Sequence, residues 1–139
     1  MKSKTRVNVF YKKKVIIGFD VSKTAEKLLA LEKKHNTEVN IIFAGASFIK
    51  EMNLNYRMKN TDTDVISFEN EGGGEIYISV DRAKTDAAEL GITLKEEYLR
   101  LLIHGLLHVI GYDHIKDADF KKMNIKEKKY LEVFYKKGV

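Results

Sequence analysis

The segment from Tyr98 to Ile110 is an apolar run without proline, and it carries His104 and His108 at i and i+4. Its length and composition predict a buried helix. On a helix, residues four apart share one face, with Cβ atoms about 5–6 Å apart. Two imidazoles so placed can reach one ion at Zn–N distances of about 2.0–2.1 Å. Gly111 follows, a residue that enters the left-handed conformation at a helix C-terminus without a Cβ penalty. The chain then turns back and His114 arrives as a third ligand, so three of the four histidines of the chain fall in this stretch. Three neutral nitrogens and one open position describe a catalytic metal site better than a structural one, which four protein ligands normally close.

With no cysteine in the chain, any transition-metal ligands must be His, Asp or Glu. The stretch matches the zinc-protease spacing H-E-x-x-H-x-x-G-x-x-H at every ligand and at the glycine. It departs where those proteases carry their general base, since position 105 is glycine. A peptidase would need that base elsewhere, and a residue without a side chain beside the metal suggests room for a bulkier or differently placed substrate.

At 139 residues the chain is expected to form a single domain, residues 1–139. No apolar run is long enough to span a bilayer and the N-terminus lacks a signal-peptide core, so a cytoplasmic location is the default. A net charge of +5 favours anionic partners, nucleic acid above all, although a lysine-rich surface also serves solubility. Nothing in the pattern accounts for the absence of proline.

In chain order, Arg6–Tyr11 reads as a strand, followed by a lysine turn and a second apolar piece, Val15–Phe19. Asp20 or Ser22 can cap a helix that runs to about Lys34, and His35 reads as an exposed residue without a role. Glu38–Ala44 is a strand, Phe48 to about Tyr56 a short helix, and 57–63 a loop. Val65–Phe68 and Glu75–Val80 are strands, and the triple glycine between them predicts a hairpin, because a phosphate loop would lead into a helix. A helix follows over Asp81–Leu90, and Thr93 with Glu96 forms a capping box that starts the histidine helix. Ala118–Lys136 reads as an amphipathic closing helix with Phe120, Met123, Tyr130 or Leu131, and Phe134 inward. Without a regular βαβ alternation, these elements predict an α+β fold.

His104–His114 resembles the signature of the YbeY family of bacterial endoribonucleases. Leu54–Lys59, Thr63–Phe68 and Gly74–Ser79 agree with that family in order, so the resemblance covers the chain from about Leu54 onward, and the N-terminal third only by pattern. Asp62 stands where the family usually has a proline, which frees the backbone there and adds a negative charge. The resemblance implies a zincin-like fold with a mixed four-stranded sheet and the metal site on a central helix. It also implies one zinc ion on His104, His108 and His114 with a water, and Arg57 as the functional arginine. The implied activity is cleavage of single-stranded RNA in maturation of the 16S ribosomal RNA 3′ end and in ribosome quality control, with the small ribosomal subunit as partner and no DNA specificity.

An ion on three neutral imidazoles can lower the pKa of bound water to about 7, and a planar guanidinium can hold a phosphate through two hydrogen bonds. Imidazoles also accept nickel, copper and iron. Asp113 either orients an imidazole or caps its turn, and Asp64 and Ser67 are further candidates for the cleft. Lys121, Lys122, Lys126, Lys128 and Lys129 crowd the last helix, either as phosphate contacts or as a solvated face. Two other readings stay open: a zinc metallopeptidase-like hydrolase, and a non-catalytic ribosome assembly factor whose metal stabilises the fold.

Overall fold

The computed structural model describes residues 4–57, 63–112 and 116–136, without the side chains of Arg57 and Lys136. Its elements are β1 (Arg6–Tyr11), α1 (Val21–Leu31), β2 (Glu38–Ala44), α2 (Ala46–Arg57), β3 (Val65–Asn70), β4 (Gly73–Ser79), α3 (Val80–Leu90), α4 (Leu94–Val109) and α5 (Asp117–Leu131). A π-helical turn, Glu132–Lys136, extends α5. The four strands lie in the order β1-β2-β4-β3, with β1, β2 and β4 parallel and β3 antiparallel to β4. This is the mixed sheet of an α+β, zincin-like fold.

Burial explains the strand order. From Ile41 to Ala44 every residue of β2 is buried, as a parallel strand covered on both faces requires. One face packs Ile41, Phe43, Ile76 and Ile78 against α1 and α4; the other packs Ile42, Ala44 and Ile66 against Ile49 of α2. At the β3–β4 hairpin, Gly72 has φ +84° and Gly73 lies so close to β2 that a Cβ on it would sit 1.8 Å from the Glu38 carbonyl oxygen. The glycines therefore serve a turn and a close strand approach, as the hairpin reading predicts.

The apolar piece Val15–Phe19 forms no regular element: Gly18 turns the backbone to φ +96°, and Ile17 is buried while Ile16 is 89% exposed. Two expectations need correction. Helix α1 ends at Leu31, before a turn in which Lys33 and Asn36 take positive φ. Phe120 is exposed, because the packed face of α5 begins one turn later at Met123 and continues through Tyr130 to Phe134.

Helix α4 forms the centre of the fold. Thr93 caps it by accepting the Glu96 amide at 3.1 Å, and Leu99, Leu102, Ile103, Leu106 and Leu107 are buried along it. Each such side chain contributes about 1.5–3 kcal/mol of burial, far more than the cap. The helix ends in paired turn bonds, Gly111 N–H to the His108 carbonyl at 3.0 Å and Tyr112 N–H to the Leu107 carbonyl at 2.9 Å. Gly111 takes φ +109°, the conformation expected of it.

Candidate metal centre

The helical spacing brings His104 and His108 together: their rings stand 4.7 Å apart between centroids, inclined at 75°. Both are half-buried, between the core side of α4 and solvent. His104 Nδ1 lies 2.7 Å from Glu127 Oε2 of α5. A carboxylate oxygen there accepts from Nδ1–H, the arrangement that leaves the Nε2 lone pair of a metal-binding imidazole free to face an ion. This is how carboxylates commonly orient metal-binding histidines, and the pair fits a divalent transition metal by donor type and by placement. His114 and Asp113 lie outside the described residues. Arg57 is the last residue of α2, and its side chain lies outside them too.

A cavity of about 450 Å³ opens beside His104, lined also by Asp64, Arg100, Asn124, Glu127 and Lys128. Asp64 is thus at the cleft, and it anchors its loop as well, since its carbonyl accepts the Ser79 amide at 2.9 Å. Ser67 is half-buried on β3 and does not line this cavity. Beyond Asp64 lies a carboxylate group in which oxygens of Asp64, Asp86 and Glu97 fall within 4.8 Å of one another. Two arginines pair within it, Arg82 with Asp86 at 3.2 Å and Arg100 with Glu97 at 2.5 Å. Burial pushes the Glu97 carboxyl above the usual range, against the lowering effect of Arg100.

Gly105 does not face a substrate. A Cβ built on it would meet Ile76 Cγ2 at 2.6 Å, so the missing side chain is the space into which β4 packs. The room predicted beside the metal belongs to the sheet. Of the α5 lysines, Lys121, Lys122, Lys128 and Lys129 are exposed, whereas Lys126 is half-buried and bonds Glu32 at 3.0 Å. His35 is exposed, as expected.

The sequence reading missed Glu127. A signal was present: Glu127 falls between Met123 and Tyr130 at helical spacing, a carboxylate on the buried stripe of α5. Such a residue requires a partner across the interface.

The chain matches the family model described as Endoribonuclease YbeY over residues 8–135. It is similar to the endoribonuclease YbeY of Aquifex aeolicus, with 37% identity over 139 residues that span 95% of this chain and 89% of the relative. The Bacillus pumilus endoribonuclease YbeY is 40% identical over 129 residues, 77% of this chain and 81% of the relative. The solution structure of TM1509 from Thermotoga maritima superposes with a TM-score of 0.70 at 33% identity, covering 94% of this chain and 90% of that one.

Proposed function

This chain belongs to the YbeY family, and we propose that it is a metal-dependent endoribonuclease of single-stranded RNA acting in ribosomal RNA maturation. The observation that carries the reading is the histidine pair on one face of α4, with His104 Nδ1 bonded to Glu127. His104 and His108, with His114 completing the set, would hold one zinc ion; nickel, copper or iron are chemically possible substitutes. When bound, the ion supplies Lewis-acid polarisation of a phosphoryl oxygen and acidification of a water.

The chain's own residues do the rest. Glu127 holds the His104 ring in one tautomer and orientation. Arg57 positions the scissile phosphate through its planar fork of donors. Arg100 and Lys128 on the cavity wall give an RNA strand a cationic edge beside His104, while the Asp64 carboxylate limits how deeply a phosphate can enter. The net charge of +5 suits a polyanionic substrate. The substrate proposed is the 3′ end of 16S ribosomal RNA, met on the small ribosomal subunit in the cytoplasm, and residues 1–139 act as one hydrolase domain. Among the described residues no helix is long and apolar enough to cross a membrane.

The test is to incubate metal-loaded protein with single-stranded RNA, duplex RNA and casein, alongside Arg57→Ala and His104→Ala. Single-stranded RNA is expected to be cut, with loss of cleavage in both variants but loss of metal only in His104→Ala. Casein products would favour the peptidase reading. Binding to ribosomal subunits without RNA cleavage would favour the assembly factor. RNA cleavage by a metal-free variant lacking all three histidines would refute the mechanism.

A further inference from the structure

We infer that Glu32, the residue that closes α1, is a positioning residue for the histidine pair: its carboxylate seats α5, and with it the Glu127 acceptor of His104, against the end of α4. The inference rests on the metal reading above. Glu32 has a side chain only 7% exposed. It accepts from the Tyr112 hydroxyl at 2.7 Å, from Lys126 Nζ at 3.0 Å and from the Tyr130 hydroxyl. Three elements thus converge on one carboxylate.

The placement of the donors gives the clamp its consequence. Lys126 and Tyr130 stand at i and i+4 on α5, and Glu127 adjoins the first of them. Tyr112 follows the Gly111 turn that ends α4, four residues after His108. The carboxylate therefore ties the segment leaving the histidine helix to the part of α5 that reaches back to His104. Apolar packing holds α5 through Met123 and Tyr130, with Phe134 in the turn that extends it, and the carboxylate adds a directional contact at Lys126 and Tyr130. Tyr130 is itself one of the donors to Glu32. Burial is non-directional, so a helix that loses such a contact can turn or slide while staying packed, and a hydrogen bond of 2.7 Å between His104 and Glu127 tolerates little shift.

The experiment compares wild type with Glu32→Ala, Glu32→Gln and Tyr112→Phe by two measurements. One is zinc affinity by competition with a chromophoric chelator. The other is the long-range proton–nitrogen NMR spectrum of the His104 ring in metal-free protein. Wild type should show the Nδ1-protonated tautomer. Glu32→Ala should weaken zinc binding by about tenfold or more and displace the His104 signals. Glu32→Gln keeps an acceptor oxygen and should recover most of both, and Tyr112→Phe should move both in the same direction by less. Where Glu32→Ala does not fold, the other two variants decide. Ile49→Ala, in the core on the opposite face of the sheet, controls for general destabilisation and should leave both readouts in place. The inference is overturned if Ile49→Ala moves them equally, or if folded Glu32 and Tyr112 variants keep wild-type zinc affinity and His104 signals. Undiminished zinc binding by His104→Ala and His108→Ala would instead refute the metal reading, and the metal-free His104 spectrum would still judge the clamp.

Discussion

Gly105→Ala tests whether the glycine beside His104 is a packing requirement. In an exposed helix this change stabilises by about 1 kcal/mol, the difference in helix propensity. Here the new Cβ would lie 2.6 Å from Ile76 Cγ2, with Cδ1 and Cγ1 at 3.2 and 3.3 Å. Ile76 is fully buried on β4 and its Cγ2 is attached at the branched Cβ, so rotation about χ2 does not move it away. Relief requires α4 to move off the sheet or Ile76 to leave its rotamer, an overpacking cost of about 1–3 kcal/mol. The net expectation is a loss of roughly 1 kcal/mol, or about 3–5 °C in Tm for a domain of this size. A second background sharpens the sign. In Ile76→Ala the cavity accepts the extra methyl, so the same Gly105→Ala change should be neutral or stabilising, a coupling within the roughly 0.5–3 kcal/mol seen for residues in contact. Urea unfolding of the four proteins, followed by circular dichroism, measures the cycle. Stabilisation by Gly105→Ala in the native background, or an equal effect in both backgrounds, would refute the packing account.

Two further outcomes follow from buried polar groups. The Tyr98 hydroxyl is fully buried without a hydrogen-bond partner among the described residues, and burial pushes its pKa up to about 12. Tyr98→Phe removes a desolvated group at small cost in volume, so thermal melts should place it level with wild type or up to about 2 kcal/mol more stable; a loss above about 1 kcal/mol would show that the hydroxyl has a partner. For Glu32, burial raises the pKa, but the bonds from Tyr130, Tyr112 and Lys126 outweigh it and hold the carboxyl below its ordinary value. A depressed acid stabilises fully above its unfolded pKa of about 4.3 and loses that contribution as pH falls through the folded value. The stability gap between wild type and Glu32→Gln in urea unfolding should therefore be largest near about pH 7 and shrink toward about pH 3. A gap that widened in acid would contradict the assignment.

Much of the site was legible because helical periodicity is local. The i, i+4 spacing of His104 and His108, the Thr93 cap and the Gly111 turn are each decided within a few residues, and the structure shows all three. The hairpin at Gly72 was likewise local. Val15–Phe19 was legible only as apolar, because its path depends on the bend at Gly18 and on which of its side chains meets the core. Phe120 misled because periodicity marks an apolar stripe but not where the neighbouring helix ends. Glu127 was overlooked among the lysines of α5, since a charged residue shows its purpose only when its partner is visible.

By itself, the sequence determined the helix that carries the histidines, their common face, the donor chemistry left to a chain without cysteine, and the membership signalled by its motifs. These depend on neighbours along the chain, whose geometry the backbone imposes. Tertiary structure alone decided that Gly105 makes room for Ile76 and not for a substrate, that Glu127 reaches His104, and that Glu32 gathers Tyr112, Lys126 and Tyr130. Each of those contacts joins residues more than twenty positions apart. No local pattern encodes such a distance; the sheet order and the way helices pack on it do.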